Sequence, residues 1–263
     1  MQIKLAYANV RGLSSKIASL KEILSETETS IACLTETHLS ENKGTMIEGY
    51  SFFGKAREGK AGGGVGILVK NTMKQNMSPY FTNRDIEITW VSLHQNQQKP
   101  LHIGVYYGKQ ESTNQEEIKD EIDKLTEEIL EMKASGEVIL CMDGNAKIGL
   151  MGETVSRNGR LLKGVFEECS LEVMNSKNIC TGAVTRHNRR VETEKSAIDF
   201  IDATYEASHW FKTMNIDELG DHRVRNKNDS DHNTIVADIM IKEIKADYQY
   251  ETSDWNYRAA PEK

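Results

Sequence analysis

The apolar run Val138-Ile139-Leu140-Cys141-Met142 constrains the fold of this chain more than any other segment, because it stops abruptly at Asp143-Gly144-Asn145. A short run of this kind, ended by turn formers, reads as a strand buried on both faces. Such a strand needs cover on each side, so the chain must build layers around it. It also delivers a carboxylate and an amide to one edge of a sheet. A second segment has the reverse order, with Ser230-Asp231-His232 just before the apolar Thr234-Ile235-Val236-Ala237. A third, Ser30-Ile31-Ala32-Cys33-Leu34-Thr35, runs into Glu36. Carboxylate, amide and imidazole at strand ends are the groups of a metal-assisted phosphoester hydrolase. Each segment alone has a plain reading: Asp-Gly and Gly-Asn form turns, and Glu36 could be a solvated strand end. The combination is harder to dismiss, since Asn9, Glu36, Asp143, Asn145, Asp199, Asp231 and His232 all fall at or beside predicted strand ends.

Strands are expected at 3–8, 30–35, 64–70, 86–94, 101–107, 137–142, 171–175, 198–204 and 234–240. Helical spacing of Ile17, Leu20, Ile23 and Leu24 predicts a helix over 16–26. Residues 112–133 form the clearest helix, with Asn114 and Glu117 as a capping box and Gly136 as its stop. A third helix is expected over 161–169. Strands outnumber helices and most successive strands could pair as hairpins, which favours two packed sheets with helices outside. No repeat or Pro/Gly-rich linker divides the 263 residues. One domain over 1–241 and a polar tail over 242–263 are expected.

The 38% apolar content suffices for a sizeable core. Cys33, Cys141, Cys169 and Cys180 lie far apart, which argues against a disulfide framework or a zinc clip. The chain starts directly with the strand-like Ile3-Lys4-Leu5-Ala6-Tyr7, with no signal peptide, and lacks a membrane-length apolar run. A net charge of −7 speaks against non-specific grip on nucleic acid over the whole surface. It leaves room for local basic loops. Two occur: Thr185-Arg186-His187-Asn188-Arg189-Arg190, read as a basic hairpin tip, and His222-Arg223-Val224-Arg225-Asn226-Lys227 beside Ser230. Thr185, Arg186, Arg189, Arg190, Arg223, Arg225 and Ser230 are therefore candidate phosphate contacts, against the plain reading of solvated charge. Ala61-Gly62-Gly63-Gly64-Val65-Gly66 lacks the Lys-Ser/Thr ending of a phosphate loop and reads as a flexible entry to a strand. His38 and His94 lack partners at ligand spacing and read as structural; Trp90 and Trp210 read as core residues.

Six motifs, in order, resemble the exonuclease–endonuclease–phosphatase family, which includes deoxyribonuclease I and the abasic-site endonucleases. They are Tyr7-Ala8-Asn9-Val10-Arg11-Gly12, Leu34-Thr35-Glu36-Thr37-His38, Val105-Tyr106-Tyr107-Gly108, Asp143-Gly144-Asn145, Ser196-Ala197-Ile198-Asp199-Phe200-Ile201 and Ser230-Asp231-His232. The resemblance implies a four-layered α/β sandwich of two packed mixed β-sheets flanked by helices. It implies Glu36 as the main ligand of Mg²⁺, with Mn²⁺ as a substitute and Asn9 and Asp231 near the metal. By the same match Asp143 orients or deprotonates the attacking water and Asn145 holds a phosphate oxygen. His232 pairs with Asp199 and stabilises charge on the phosphate. The tyrosine motif departs from the family's usual tyrosine followed two residues later by proline. Either Tyr106 or Tyr107 can be the residue at the site, and alignment on Gly108 favours Tyr107.

Asp143-Gly144-Asn145-Ala146-Lys147-Ile148-Gly149, Asn158-Gly159-Arg160-Leu161-Leu162 and Ser196-Ala197-Ile198-Asp199-Phe200-Ile201 are similar to endonuclease domains of non-long-terminal-repeat retrotransposons, and the tail Thr252-Ser253-Asp254-Trp255-Asn256-Tyr257-Arg258 resembles the segment that leads from them into the reverse transcriptase. That likeness implies double-stranded DNA as the partner, nicked to leave a 3′-hydroxyl for reverse transcription. It also implies fusion to a reverse transcriptase and action in the nucleus. A host abasic-site endonuclease, a phosphatase of the same fold, and a binding module that no longer cuts remain open alternatives at this point.

Overall fold

The computed structural model, which describes residues 1–40, 47–57, 62–94, 99–188, 194–224 and 230–241, stacks two β-sheets face to face. Strand β1 (Gln2–Asn9) leads through helix α1 (Ile17–Glu26) to β2 (Ile31–Thr35). There follow β3 (Tyr50–Lys55), β4 (Val65–Lys70), β5 (Met77–Tyr80), β6 (Ile88–Leu93) and β7 (Leu101–Tyr107). Helix α2 (Gln115–Ser135) precedes β8 (Glu137–Asp143), and α3 (Arg157–Glu168) precedes β9 (Leu171–Val173). The short β10 (Cys180–Thr181), β11 (Arg186–His187) and β12 (Lys195–Ser196) lead to β13 (Asp199–Thr204). Helix α4 (Tyr205–Ser208), β14 (Phe211–Ile216) and β15 (Ile235–Met240) complete the described chain.

One sheet has the order β10-β14-β15-β1-β2-β4-β3 and the other β5-β6-β7-β8-β13-β9, while β11 and β12 form a separate hairpin. Both large sheets are mixed: β1 and β2 run parallel, as do β7 and β8, among antiparallel neighbours. Side-chain alternation sorts the layers. Ile3, Leu5 and Tyr7 of β1 face Ile103 and Val105 of β7 and Cys141 of β8 across the inter-sheet core. The alternate residues Ala6 and Ala8 lie under Leu20, Ile23 and Leu24 of α1, small enough to let the helix approach. On the opposite outer face Trp90, Leu140 and Phe200 pack beneath Leu125 and Ile129 of α2 and Leu162 of α3. The order is helix, sheet, sheet, helix, and β8 is buried on both faces as its composition requires.

The structure adds strands that the hydrophobic pattern does not announce. Every residue of β3 is only half-buried at a sheet edge, and Pro79 sits in the edge strand β5, where a missing N–H costs no ladder bond. In β14, Lys212, Thr213 and Asn215 are exposed, and a register irregularity between Phe211 and Thr213 breaks the alternation. Helix α3 begins at Arg157, four residues before the expected 161, because Ser156 Oγ accepts from Gly159 N at 3.2 Å. Gly159 is required there, since a Cβ would collide with the Lys147 carbonyl. Asn114 does cap α2, though through Glu116 N at 2.8 Å. Among the described residues no helix is long and apolar enough to cross a membrane.

Glu128 fastens α2 to the sheet beneath. Its side chain is fully buried and accepts from Trp90 Nε1 at 3.1 Å, Thr82 Oγ1 at 2.7 Å and Arg84 NH1 at 2.6 Å. Removing the cation from such a group leaves a buried charge uncompensated, which costs about 3 kcal/mol or more. Arg84→Met is expected to lower stability by about that much in urea denaturation, and Glu128→Gln in the same chain to restore part of the loss. Equal stability of Arg84→Met and wild type would show that the ion pair contributes nothing.

Candidate active site

Six strand ends meet at one end of the sandwich because of how the strands run. The parallel strands β1 and β2 finish side by side, carrying Asn9 and Glu36 out of one sheet. Their ladder continues into the loops, with Val10 N donating to Thr35 O at 2.9 Å and Gly12 N to Glu36 O at 2.7 Å. The parallel strands β7 and β8 finish likewise in the other sheet, with Tyr107 opposite Asp143. Strand β13 is antiparallel to β8 and begins there, with Asp199 opposite Asp143. His232 enters just ahead of β15, which is antiparallel to β1.

The side chains then touch across the sheets. Asn9 Nδ2 donates to Glu36 Oε1 at 2.8 Å and to Asp143 Oδ2 at 2.9 Å, and the Asn9 oxygen accepts from Arg11 N at 3.2 Å. In this arrangement the Asn9 amide presents N–H groups to the carboxylates and spaces them apart. Tyr107 donates to Glu36 Oε1 at 3.4 Å. Tyr106, one residue earlier, faces the other way: it donates to the buried Glu121 at 2.5 Å beneath α2. Tyr107 thus shares a face with Glu36, and Tyr106 belongs to the helix-covered layer. Asn145 adopts φ 45° and turns its N–H back to Asp143 Oδ1 at 3.0 Å, while its amide donates to Gly108 O at 2.8 Å.

His232 Nδ1 donates to both oxygens of Asp199, at 3.0 and 2.9 Å, and is buried with it. Tyr7, fully buried, also donates to Asp199 Oδ1 at 2.8 Å and pairs with Thr35 Oγ1 at 2.9 Å. Burial alone lowers the His232 pKa, but the adjacent Asp199 carboxylate outweighs it and lifts the imidazole to about 9. The ring is therefore an imidazolium near neutrality, with Nε2 as the nitrogen left for the cleft. Asp143 is pushed up to about 7, first by burial and then by Asp199. Ligand atoms of Glu36, Asp143 and His232 all lie within 4.8 Å of one another. A carboxyl crowded this way against other acids fits a divalent cation, and the oxygen-rich donor set suits a hard one.

The remaining sequence candidates divide. Asp231 stands outside the Glu36–Asp143–His232 group: Arg11 NH1 holds one of its oxygens at 3.3 Å and Arg186 Nε the other at 3.1 Å. Thr185 is fully buried and its hydroxyl accepts from Ile198 N and Asp199 N at 2.9 and 3.1 Å, so it fixes the start of β13 and does not face a substrate. Ser230 is likewise buried, donating to Asn9 O at 2.6 Å and accepting from His232 N. Arg223 donates to Asn233 Oδ1 at 2.6 Å and lines no part of the cleft around His232. Arg189, Arg190 and Arg225 lie outside the described residues.

Several groups that support the site carry no sequence signal of their own. Lys16 is buried and donates to the carbonyls of Val10 and Arg11 at 2.6 and 3.0 Å, pinning the loop after Asn9. His38 Nε2 lies 3.3 Å from Glu36 Oε2. The glycine-rich segment, expected as a loose entry to a strand, is a tied turn. Gly63 O and Gly64 O accept from His38 N and Thr37 N at 2.9 and 3.1 Å, fixing the loop of Glu36. Glu87 bridges Gly64 N and Arg57 Nε, each at 2.5 Å. The Arg57 guanidinium lies 5.3 Å from the centre of the Tyr107 ring, and a Cβ at Gly63 would collide with it.

Glu36, Tyr107, Asn145 and His232 line an open cleft of about 700 Å³, which Arg11, Lys147 and Arg186 also border alongside Glu111 and Glu194. No protein-family model matches the sequence, and no curated protein matches it. Solved structures match its shape. The endonuclease domain of TRAS1, a telomere-specific non-LTR retrotransposon, superposes with a TM-score of 0.68, covering 92% of this chain and 100% of its own at 19% identity. The chain has the exonuclease–endonuclease–phosphatase fold. The AP endonuclease LMAP from Leishmania major shares that fold with a TM-score of 0.74 over 92% of this chain and 88% of its own, at 11% identity. A 3′-5′ exonuclease from Neisseria meningitidis shares it with a TM-score of 0.72, 91% and 100% coverage and 15% identity. Identities this low carry the architecture, so the chemistry rests on the side chains themselves.

The pKa shifts set the pH response of stability. His232 is raised above its usual 6.5, so its contribution is full below about 6.5 and is lost as pH rises through about 9. Asp143 is raised above 3.8, so the folded state holds a proton the unfolded chain has shed, and stability also falls from pH 4 to 7. From pH 4 to about 6.5 the loss at Asp143 is opposed by His102, whose burial lowers its imidazole to about 4, so metal-free protein is expected to lose net stability above about pH 6.5 and up to pH 9. Asp199→Asn should flatten the upper part, which urea midpoints at each pH would reveal.

Proposed function

We propose that this protein is a Mg²⁺-dependent DNA endonuclease that hydrolyses one phosphodiester of a duplex and leaves a 3′-hydroxyl. The observation that carries the reading is the cross-sheet set Glu36–Asn9–Asp143, joined at the floor of one cleft by the His232–Asp199 pair. Glu36, partly open to the cleft and beside Asp143, is the carboxylate that would hold the ion. Mg²⁺, or Mn²⁺ in its place, would neutralise charge on the phosphate as a Lewis acid.

The chain's own residues do the rest. Asp143, held between the Asn9 and Asn145 N–H groups, is placed to orient a water and take its proton. His232, kept charged by Asp199, offers an N–H to a phosphate oxygen, and the buried Tyr7 keeps Asp199 aimed. Tyr107 and Asn145 line the same wall and suit contacts to the phosphate or sugar. The tail 242–263 would link the domain over 1–241 to a reverse transcriptase, and the 3′-hydroxyl would prime its synthesis. Action on genomic DNA would place the protein in the nucleus. The fold shared with the TRAS1 endonuclease domain supports this reading, as do the similarities in sequence around Asp143 and Asn158.

Folded Glu36→Gln protein is expected to lose Mg²⁺-dependent plasmid nicking altogether, and wild-type rates from it would remove Glu36 from the metal site. Asp199→Ala and His232→Ala should each slow nicking by about 10²–10³-fold. The double variant should be no slower than the worse single, because the two act as one unit. Parallel assays on intact duplex, abasic duplex and 3′-phosphorylated ends separate a target-nicking enzyme from a repair endonuclease or a phosphatase.

A further inference from the structure

Arg11 and Arg186 approach from different elements and meet on a single carboxylate. Arg11 follows β1, Arg186 opens β11, and each gives one N–H to a different oxygen of Asp231. Among the described residues the ion pairs do not balance, since two guanidiniums share one carboxylate. Arg57, by contrast, has Glu87 to itself, and Arg84 is surrounded by Glu127, Glu128 and Glu131. Among the described residues, Asp231 is the one carboxylate ion-paired with either Arg11 or Arg186. Both arginine side chains are more than 40% exposed while Asp231 is 10% exposed, so the two guanidiniums are turned outward into a cleft that Glu111 and Glu194 also line.

Both arginines are also fixed at the root. Arg11 takes the left-handed φ of 43°, with its N–H on Asn9 and its carbonyl on the buried Lys16. Arg186 forms a backbone bridge with His232, and His187 N donates to Asp231 O at 2.9 Å. A guanidinium has five donors in a planar fork that matches phosphate oxygens, and a pre-placed one loses less freedom on binding.

We propose that Arg11 and Arg186 form a second phosphate site that grips the backbone phosphate next to the one being cut, with Asp231 holding the two guanidiniums around it. The site rests on the nuclease reading above and names which residues set the strand in the cleft. It gives Asp231 the part of an arginine spacer in place of a metal ligand.

The test is duplex DNA binding in EDTA, read by fluorescence anisotropy across a salt series. Arg11→Ala and Arg186→Ala should each weaken binding about tenfold at low salt and lower the slope of log K against log salt by about one. Their combination should lower it by about two, and Arg11→Lys should keep the wild-type slope. If an alanine variant fails to fold by circular dichroism, Arg11→Gln and Arg186→Gln carry the same expectation. Lys163→Ala, on the exposed face of α3, should change neither quantity. Unchanged slopes in the folded double variant, or an equal loss from Lys163→Ala, would overturn the site while a wild type that nicks plasmid with Mg²⁺ keeps the nuclease reading. A wild type that neither binds nor nicks duplex DNA would overturn both.

Discussion

The seam between the two sheets is apolar along most of its length and polar at one end, and the molecule depends on that change. At the polar end Tyr7 and His232 of one sheet converge on Asp199 of the other, and Asn9 reaches across to Asp143. Buried hydrogen bonds of this sort are costly to leave half-made, so they fix how the sheets sit together. The same bonds orient the groups that would act on a phosphate. Packing and chemistry therefore share one set of contacts, and neither can drift without the other.

Crowding of acids is the second theme. Glu36 lies beside Asp143, and Asp143 beside Asp199, against a single imidazolium from the same set. The chain answers with amides at close range, Asn9 and Asn145, which donate without adding charge. It keeps its cations one step back, at Arg11, Lys147 and Arg186 on the walls. Cations set among the carboxylates of the cleft would let an acidic floor hold a metal and still meet a polyanion, on a protein whose net charge is −7.

Buried strands that end in chemistry were the most legible part of the chain. The run before Asp143 and the segments ending at Glu36 and beginning after His232 carry both a hydrophobic signature and a polar stop, and all three lie where those features point. The edge strand β3 has no buried face, and a register irregularity breaks the alternation of β14, so period-two reasoning passes over both. The support of the site was equally hidden. Thr185 and Ser230 look like substrate contacts beside basic residues, yet their hydroxyls are consumed by backbone groups that only the folded chain brings near. Gly62-Gly63-Gly64 reads as slack because glycine permits slack, and its purpose depends on Arg57 and Glu87 arriving from other strands.

Strand β15 lies in the middle of its sheet, between β14 and β1, and Gln2 pairs with Met240. The first strand is thus completed by the last strand among the described residues, and the terminal amine of Met1 donates to Ile241 O at 3.0 Å. Pairing of residues this far apart demands closure of nearly the whole chain, which makes such topologies slow to form. Until β15 arrives β1 has an open edge, and His232 travels only a few residues ahead of β15. A nascent chain leaving the ribosome would therefore carry Glu36 and Asp143 long before the histidine. The full constellation at the cleft exists only once the chain has been made as far as β15.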